Sequence, residues 1–127
     1  MAIELDTSSN PTLVDRGAIP TTAIPFATNG FEADAQTAKE VVVTPGAGKN
    51  HYITRIILQS EVAGVDPQIQ DNAGTAAVLF GPYYTTTTNG LVDVSFPRPI
   101  KVAANLAIDL KAGGGGLVFV FVEGFSG

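Results

Sequence analysis

The chain has 127 residues, with 12 acidic and 7 basic side chains, 45 % hydrophobic residues, 14 glycines, 8 prolines, one histidine and no cysteine. That length makes a single domain able to build a core without staples, and the composition excludes disulfides and thiolate metal sites while arguing against disorder, coiled coil and helical bundle. A net charge of −5 argues against a nucleic-acid binder, which needs a basic stripe to neutralise phosphates.

The N-terminus, MAIELDTSSN, has neither the positive nor the apolar region of a signal peptide. No apolar run approaches the roughly 20 residues that span a bilayer. A soluble chain without membrane contact is therefore expected. Residues 1–36 hold five acids against Arg16 alone, a charge of −4, whereas residues 37–127 hold seven acids and six bases, a charge of −1. Prolines at 11, 20 and 25 push their predecessors towards extended geometry. Residues 1–36 accordingly read as an extended N-terminal arm. A short strand is expected around Ala23–Phe26, and a helical turn near Ala33–Lys39, where good helix formers cluster.

Residues 37–127 read as a β-sandwich domain. Strands are expected at Glu40–Thr44, His51–Ser60, Asp66–Gln70, Thr75–Phe80, Tyr83–Thr88, Leu91–Phe96, Asn105–Lys111 and Leu117–Glu123. Alternation along His51–Ser60 places Tyr52, Thr54, Ile56 and Leu58 on one face and Ile53, Arg55, Ile57 and Gln59 on the other. Asn89-Gly90 between two β-like runs signals a two-residue hairpin. Pro97-Arg98-Pro99 breaks a ladder, and Gly113–Gly116 is a loop. About eight strands at a spacing of roughly 8–12 residues, with no crossover helix, predict an all-β, antiparallel, jelly-roll-like β-sandwich.

The last strand is apolar on both faces, Leu117, Phe119 and Phe121 on one and Val118, Val120 and Val122 on the other. An antiparallel sheet usually leaves one face wet. Either a second subunit meets the Val118, Val120 and Val122 face, or this is a central strand covered by residues 1–36.

Chemistry finds little support. Gly46-Ala47-Gly48-Lys49 lacks the spacing, the following Ser/Thr and the helix of a phosphate loop, and reads as a turn. His51 has no G-x-S-x-G partner, and Gly124-Phe125-Ser126-Gly127 has the wrong spacing, so a surface or interface histidine is expected. Glu61, Asp66 and Asp71 sit in turn-forming sequence without aromatic platforms, against a glycosidase pair. Asp66, Asp71 and Asn72 miss the calcium-loop pattern. No catalytic, cofactor or metal residue is assigned, and the chain is not expected to be an enzyme. Tyr83 and Tyr84 point to opposite sides of a strand, so one of them is free to anchor an interface or stack on a sugar. Arg98, rigid between two prolines, is an exposed residue suited to an acidic partner surface.

The succession P-G-A-G-K, H-Y-I-T-R-I-I-L, F-P-R-P-I, N-L-A-I-D-L and V-F-V-F-V-E-G over residues 37–127 resembles small jelly-roll-like β-sandwich virion proteins of tailed bacteriophages, the capsid decoration or cement proteins. The resemblance implies a homo-oligomer, a trimer in many such families, bound to a major capsid protein or other virion protein and located in the virion. It carries no catalytic residues across. Interface residues expected on these grounds are Tyr83, Tyr84, Arg98, Val118, Val120 and Val122. The alternative is a carbohydrate- or receptor-binding module of a tail or fibre, working through Tyr83 and Tyr84.

Overall fold

The computed structural model describes residues 23–28 and 31–127. Its elements are β1 (Ile24–Ala27), β2 (Phe31–Asp34), β3 (Lys39–Val42), β4 (His51–Ser60), β5 (Pro67–Asp71), β6 (Val78–Phe80), β7 (Leu91–Lys101), β8 (Ile108–Ala112) and β9 (Leu117–Ser126). One sheet runs β1-β9-β4-β7, with β2 also on β9, and the other runs β3-β8-β5-β6. Every pairing is antiparallel.

β1 lies along the C-terminal half of β9 and β2 along its N-terminal half, so the two act as one interrupted edge strand. Counted so, the sheets are 1/2-9-4-7 and 3-8-5-6. The chain changes sheet from β2 to β3 and from β3 to β4, and again at β5, β7, β8 and β9, the double Greek key of a jelly roll.

The faces facing one another form the core. Ile53, Ile56 and Leu58 of β4 meet Val118, Val120 and Val122 of β9, with Ile69, Ile108 and Leu110 from the opposite sheet. Burying each such side chain stabilises by about 1.5–3 kcal/mol. The two central strands of the five-stranded sheet thus supply most of its inner face.

The expected arm contributes to this sheet. A strand does fall at Ile24–Ala27, and Phe31–Asp34 forms a second one, so the stretch 24–34 of the expected arm pairs into the five-stranded sheet. The stretch expected to be helical is extended at Ala33-Asp34, bends at Gln36-Thr37 and is extended again from Lys39. Pairing with β9 overrides the modest helix propensity of Glu32–Lys39. Residues 1–22 of the expected arm lie outside the described residues.

Three further expectations are corrected. Thr54 is the extra residue of a bulge: Ile53 pairs with Gly124 and Arg55 with Glu123. The bulge puts Ile53 on the same inner face as Ile56 and Leu58, which strict alternation had separated. Tyr83–Thr88 forms no strand. It is the crossing from β6 in one sheet to β7 in the other, tied by Tyr83 N–H to the Pro67 carbonyl at 2.8 Å and Gly64 N–H to the Thr85 carbonyl at 2.9 Å. Finally, β7 continues through Pro97-Arg98-Pro99 to Lys101, with four residues bulging opposite Thr54. It tolerates two prolines because it is the sheet's edge.

Candidate functional site

Val118, Val120 and Val122 are fully buried between the sheets. They form the core of one protomer, which removes them from the expected interface. β9 is central in its sheet, and the side of it left towards solvent carries Leu117, Phe119 and Phe121. β-branched valines suit the confined space between sheets, and the longer aromatic rings lie outside.

Cross-strand pairing extends this outer face. Phe121 stands opposite Ile57, and Phe119 opposite Gln59 on one side and Glu32 on the other. Asp93 lies opposite Ile57 on β7. The face is therefore an apolar stripe of Ile57, Leu117, Phe119 and Phe121, with polar groups along its flanks.

Arg55 crosses part of that stripe. Its Nε donates to Asp93 Oδ1 at 3.0 Å and its Nη2 to Oδ2 at 2.8 Å. The pairing raises the Arg55 pKa and lowers that of Asp93, in each case through the charge-assisted hydrogen bond first. The guanidinium carbon lies 6.0 Å from the Phe121 ring centroid, a cation–π arrangement. Further along, Tyr52 and Phe125 stack with centroids 4.9 Å apart, and Lys101 Nζ lies 6.0 Å from the Tyr52 ring.

The opposite sheet presents a different outer face. Gln68 pairs with Lys111, and Gln70 with Asp109, which in turn pairs with Glu40. All are polar. Partial burial raises the Asp109 pKa, helped by the nearby Glu40 and Asp71 carboxylates.

The two tyrosines part company. Tyr83 is half-buried and its hydroxyl donates to the Leu91 carbonyl at 3.5 Å, towards β7. Tyr84 is 70 % exposed and lies over the end of the polar sheet. Arg98 is exposed on the bulged edge of β7, away from the Tyr84 hollow. The expected interface residues thus do not form one site.

Of the residues weighed for catalysis, His51, Ser126, Asp66 and Asp71 are engaged in structural hydrogen bonds. His51 is 3 % exposed, not at the surface as expected. Its Nε2 lies 2.6 Å from the Val43 carbonyl, so it carries the proton and donates; Nδ1 then accepts from Ser126 Oγ, also at 2.6 Å. A triad would place serine on Nε2 and an acid on Nδ1; here a carbonyl occupies Nε2 and no acid takes part. Burial lowers the His51 pKa, partly opposed by the Val43 carbonyl. This His51–Ser126–Val43 link joins β4, β9 and the end of β3. Nothing in the spacing of single residues announced it; the partners are 75 and 8 positions away.

Asp71 Oδ1 accepts from the Ala73 and Ala77 amides at 3.1 and 2.9 Å, and Asn72 Oδ1 from the Ala107 amide at 2.9 Å. Asp66 Oδ1 accepts from the Thr85 amide at 2.9 Å. No group of three or more His, Cys, Asp or Glu placed to hold a metal occurs among the described residues. Gly46–Lys49 is a turn, with Lys49 N–H bonded to the Gly46 carbonyl at 3.1 Å and strand β4 following, so no helix N-terminus stands behind it. No protein-family model, curated protein or solved structure matches the chain.

Proposed function

We propose that the chain is a structural virion protein: an oligomeric jelly roll that binds the outside of a phage head and stabilises it. The observation that carries this reading is the asymmetry of the two outer faces. On its central strands β8 and β5 one carries Gln68, Gln70, Asp109 and Lys111, with Val78 exposed on edge strand β6, and the other bears Ile57, Leu117, Phe119 and Phe121 on its two central strands. A contiguous apolar patch rimmed by polar groups is what an association surface presents. Covering it with a second copy removes apolar area worth about 25 cal/mol per Å².

The edges support association through the face. Pro97 and Pro99 lie on edge strand β7 and remove ladder donors, which blunts strand-to-strand growth. Leu117 is 38 % exposed and stands at the end of the stripe beside Glu32 and Glu61, a polar rim. Such a protein needs shape and adhesion and no reacting group.

Electron microscopy of the assembled particle tests the proposal. Regular density for the jelly roll on the outer shell is expected, along with earlier heat rupture of shells lacking the chain. A particle that contains no copy of it overturns the reading. Deleting residues 1–22 tests the arm, because that cut spares β1 and β2 and leaves the β9 edge paired.

A further inference from the structure

We propose that the hollow beneath Tyr84 is a saccharide-binding site that takes one neutral pyranose ring. It has a volume of about 200 Å³ and is lined by Asp66, Gln68, Pro82, Tyr84, Lys111 and Gly113. That is smaller than the roughly 300–1,000 Å³ of sites enclosing a drug-sized ligand, and it suits one ring of a longer glycan.

Each wall has a distinct part in recognition. Tyr84, 70 % exposed, offers an aromatic face with Pro82 beside it. The C–H face of a pyranose packs on such a ring, while its hydroxyls require acceptors and donors around the rim. Asp66 is held rigidly for this. Its Oδ1 accepts from the Thr85 amide at 2.9 Å and faces the Thr85 hydroxyl at 3.4 Å. Thr85 Oγ1, 4 % exposed as a residue, in turn accepts from the Val65 and Asp66 amides at 3.1 and 3.3 Å. Among the described residues nothing donates to Asp66 Oδ2, which remains an acceptor.

Gln68 is similarly oriented. Its Nε2 donates to Gln70 Oε1 at 2.9 Å, which leaves its own Oε1 as a second acceptor. Lys111 stands directly opposite Gln68 in the ladder and supplies the donor. Two acceptors, one cationic donor and one aromatic face match a ring of hydroxyls that both give and receive hydrogen bonds.

Charge selects among ligands. Asp66 and Lys111 cancel, so the hollow favours a neutral ring over a phosphate, sulfate or sialic acid. One carboxylate next to an ammonium is a poor cation site. The site faces away from the apolar stripe on the other sheet, so it stands independently of oligomer formation.

The test is an array of neutral oligosaccharides ending in glucose, galactose, mannose or N-acetylglucosamine, with sialylated and sulfated glycans alongside. The full chain is expected to bind at least one neutral probe. Tyr84→Ala, at an exposed position, should weaken that binding by about tenfold or more. Lys111→Ala should weaken it as well, and Tyr83→Phe should leave it unchanged. Absence of binding to every neutral probe, binding confined to anionic glycans, or binding unaltered in Tyr84→Ala overturns the proposal. A circular dichroism spectrum matching the parent keeps loss of fold apart from loss of the site.

Discussion

Lowering the pH from about 7.5 to about 5.5 should destabilise the fold through His51. The imidazole is 3 % exposed, its Nε2–H is given to the Val43 carbonyl, and its Nδ1 receives the Ser126 hydroxyl. Burial holds its pKa below 6.5. The unfolded chain therefore binds the proton first as pH falls, and stability rises with pH over that range. Above 6.5 the contribution is complete; below it, stability is lost until the folded pKa is reached. The slope is at most about 1.4 kcal/mol per pH unit. With a urea dependence of about 1–3 kcal/mol per molar, the unfolding midpoint should drop by up to about 0.5–1.4 M per unit. Because the chain has one histidine, no other side chain of ordinary pKa titrates in this window. Asp109, with its raised pKa, acts in the opposite sense, adding stability as pH falls through the carboxylate range above 3.8. Urea unfolding across this series, with His51→Gln as control, reads the effect. A midpoint that stays level or climbs on acidification, or a slope retained in His51→Gln, would refute the reasoning.

Four substitutions test the packing, all by chemical or thermal unfolding. Leu58→Ala, at a fully buried position on β4, should cost about 2–5 kcal/mol; a loss under about 1 kcal/mol would mean the two sheets are not packed there. Gly124→Ala should cost about 1–3 kcal/mol, because a Cβ there would run into the Tyr52 carbonyl oxygen and lie 3.0 Å from Phe26, whereas Gly74→Ala meets nothing within 4 Å and should be near neutral. Ser60→Ala should leave stability unchanged or raise it by about 1 kcal/mol, since the Ser60 hydroxyl is buried with no partner among the described residues; a marked loss would show that the hydroxyl is satisfied.

The jelly roll was legible in local signals that survive folding. Asn105–Lys111 and Leu117–Glu123 alternate or run apolar as strands do, and β8 and β9 follow them within a few residues. Gly113–Gly116 separates the two as expected. What failed depended on partners distant in sequence. The bulge at Thr54 arises from matching β4 to both neighbours, and it turns Ile53 inward beside Ile56 and Leu58. Tyr83–Thr88 has strand composition but is drawn across the end of the sandwich by Thr85, whose hydroxyl serves the Val65 and Asp66 amides. Asn89-Gly90 still marks a turn, with Asn89 at φ 57°, yet it ends a crossover instead of joining a hairpin.

The stripe on the outer face was half visible. Apolar character on both sides of Leu117–Glu123 asks for two covers, and the opposite sheet supplies the one over Val118, Val120 and Val122. Alternation alone does not tell which side meets the opposite sheet. Register does: Val120 pairs with Leu58 and Val122 with Ile56, all fully buried, so Phe119 and Phe121 fall outside. The Tyr84 hollow depends on three separate segments meeting, the loop before β5, the crossing after β6 and the end of β8. No linear pattern brings those together.

Whether the exterior stripe joins copies is decided most directly by the mass of the full chain in solution, measured by light scattering. A particle weighing a multiple of 13.1 kDa is predicted, three-fold for the trimer. A stable species of 13.1 kDa that persists as concentration rises would contradict the account.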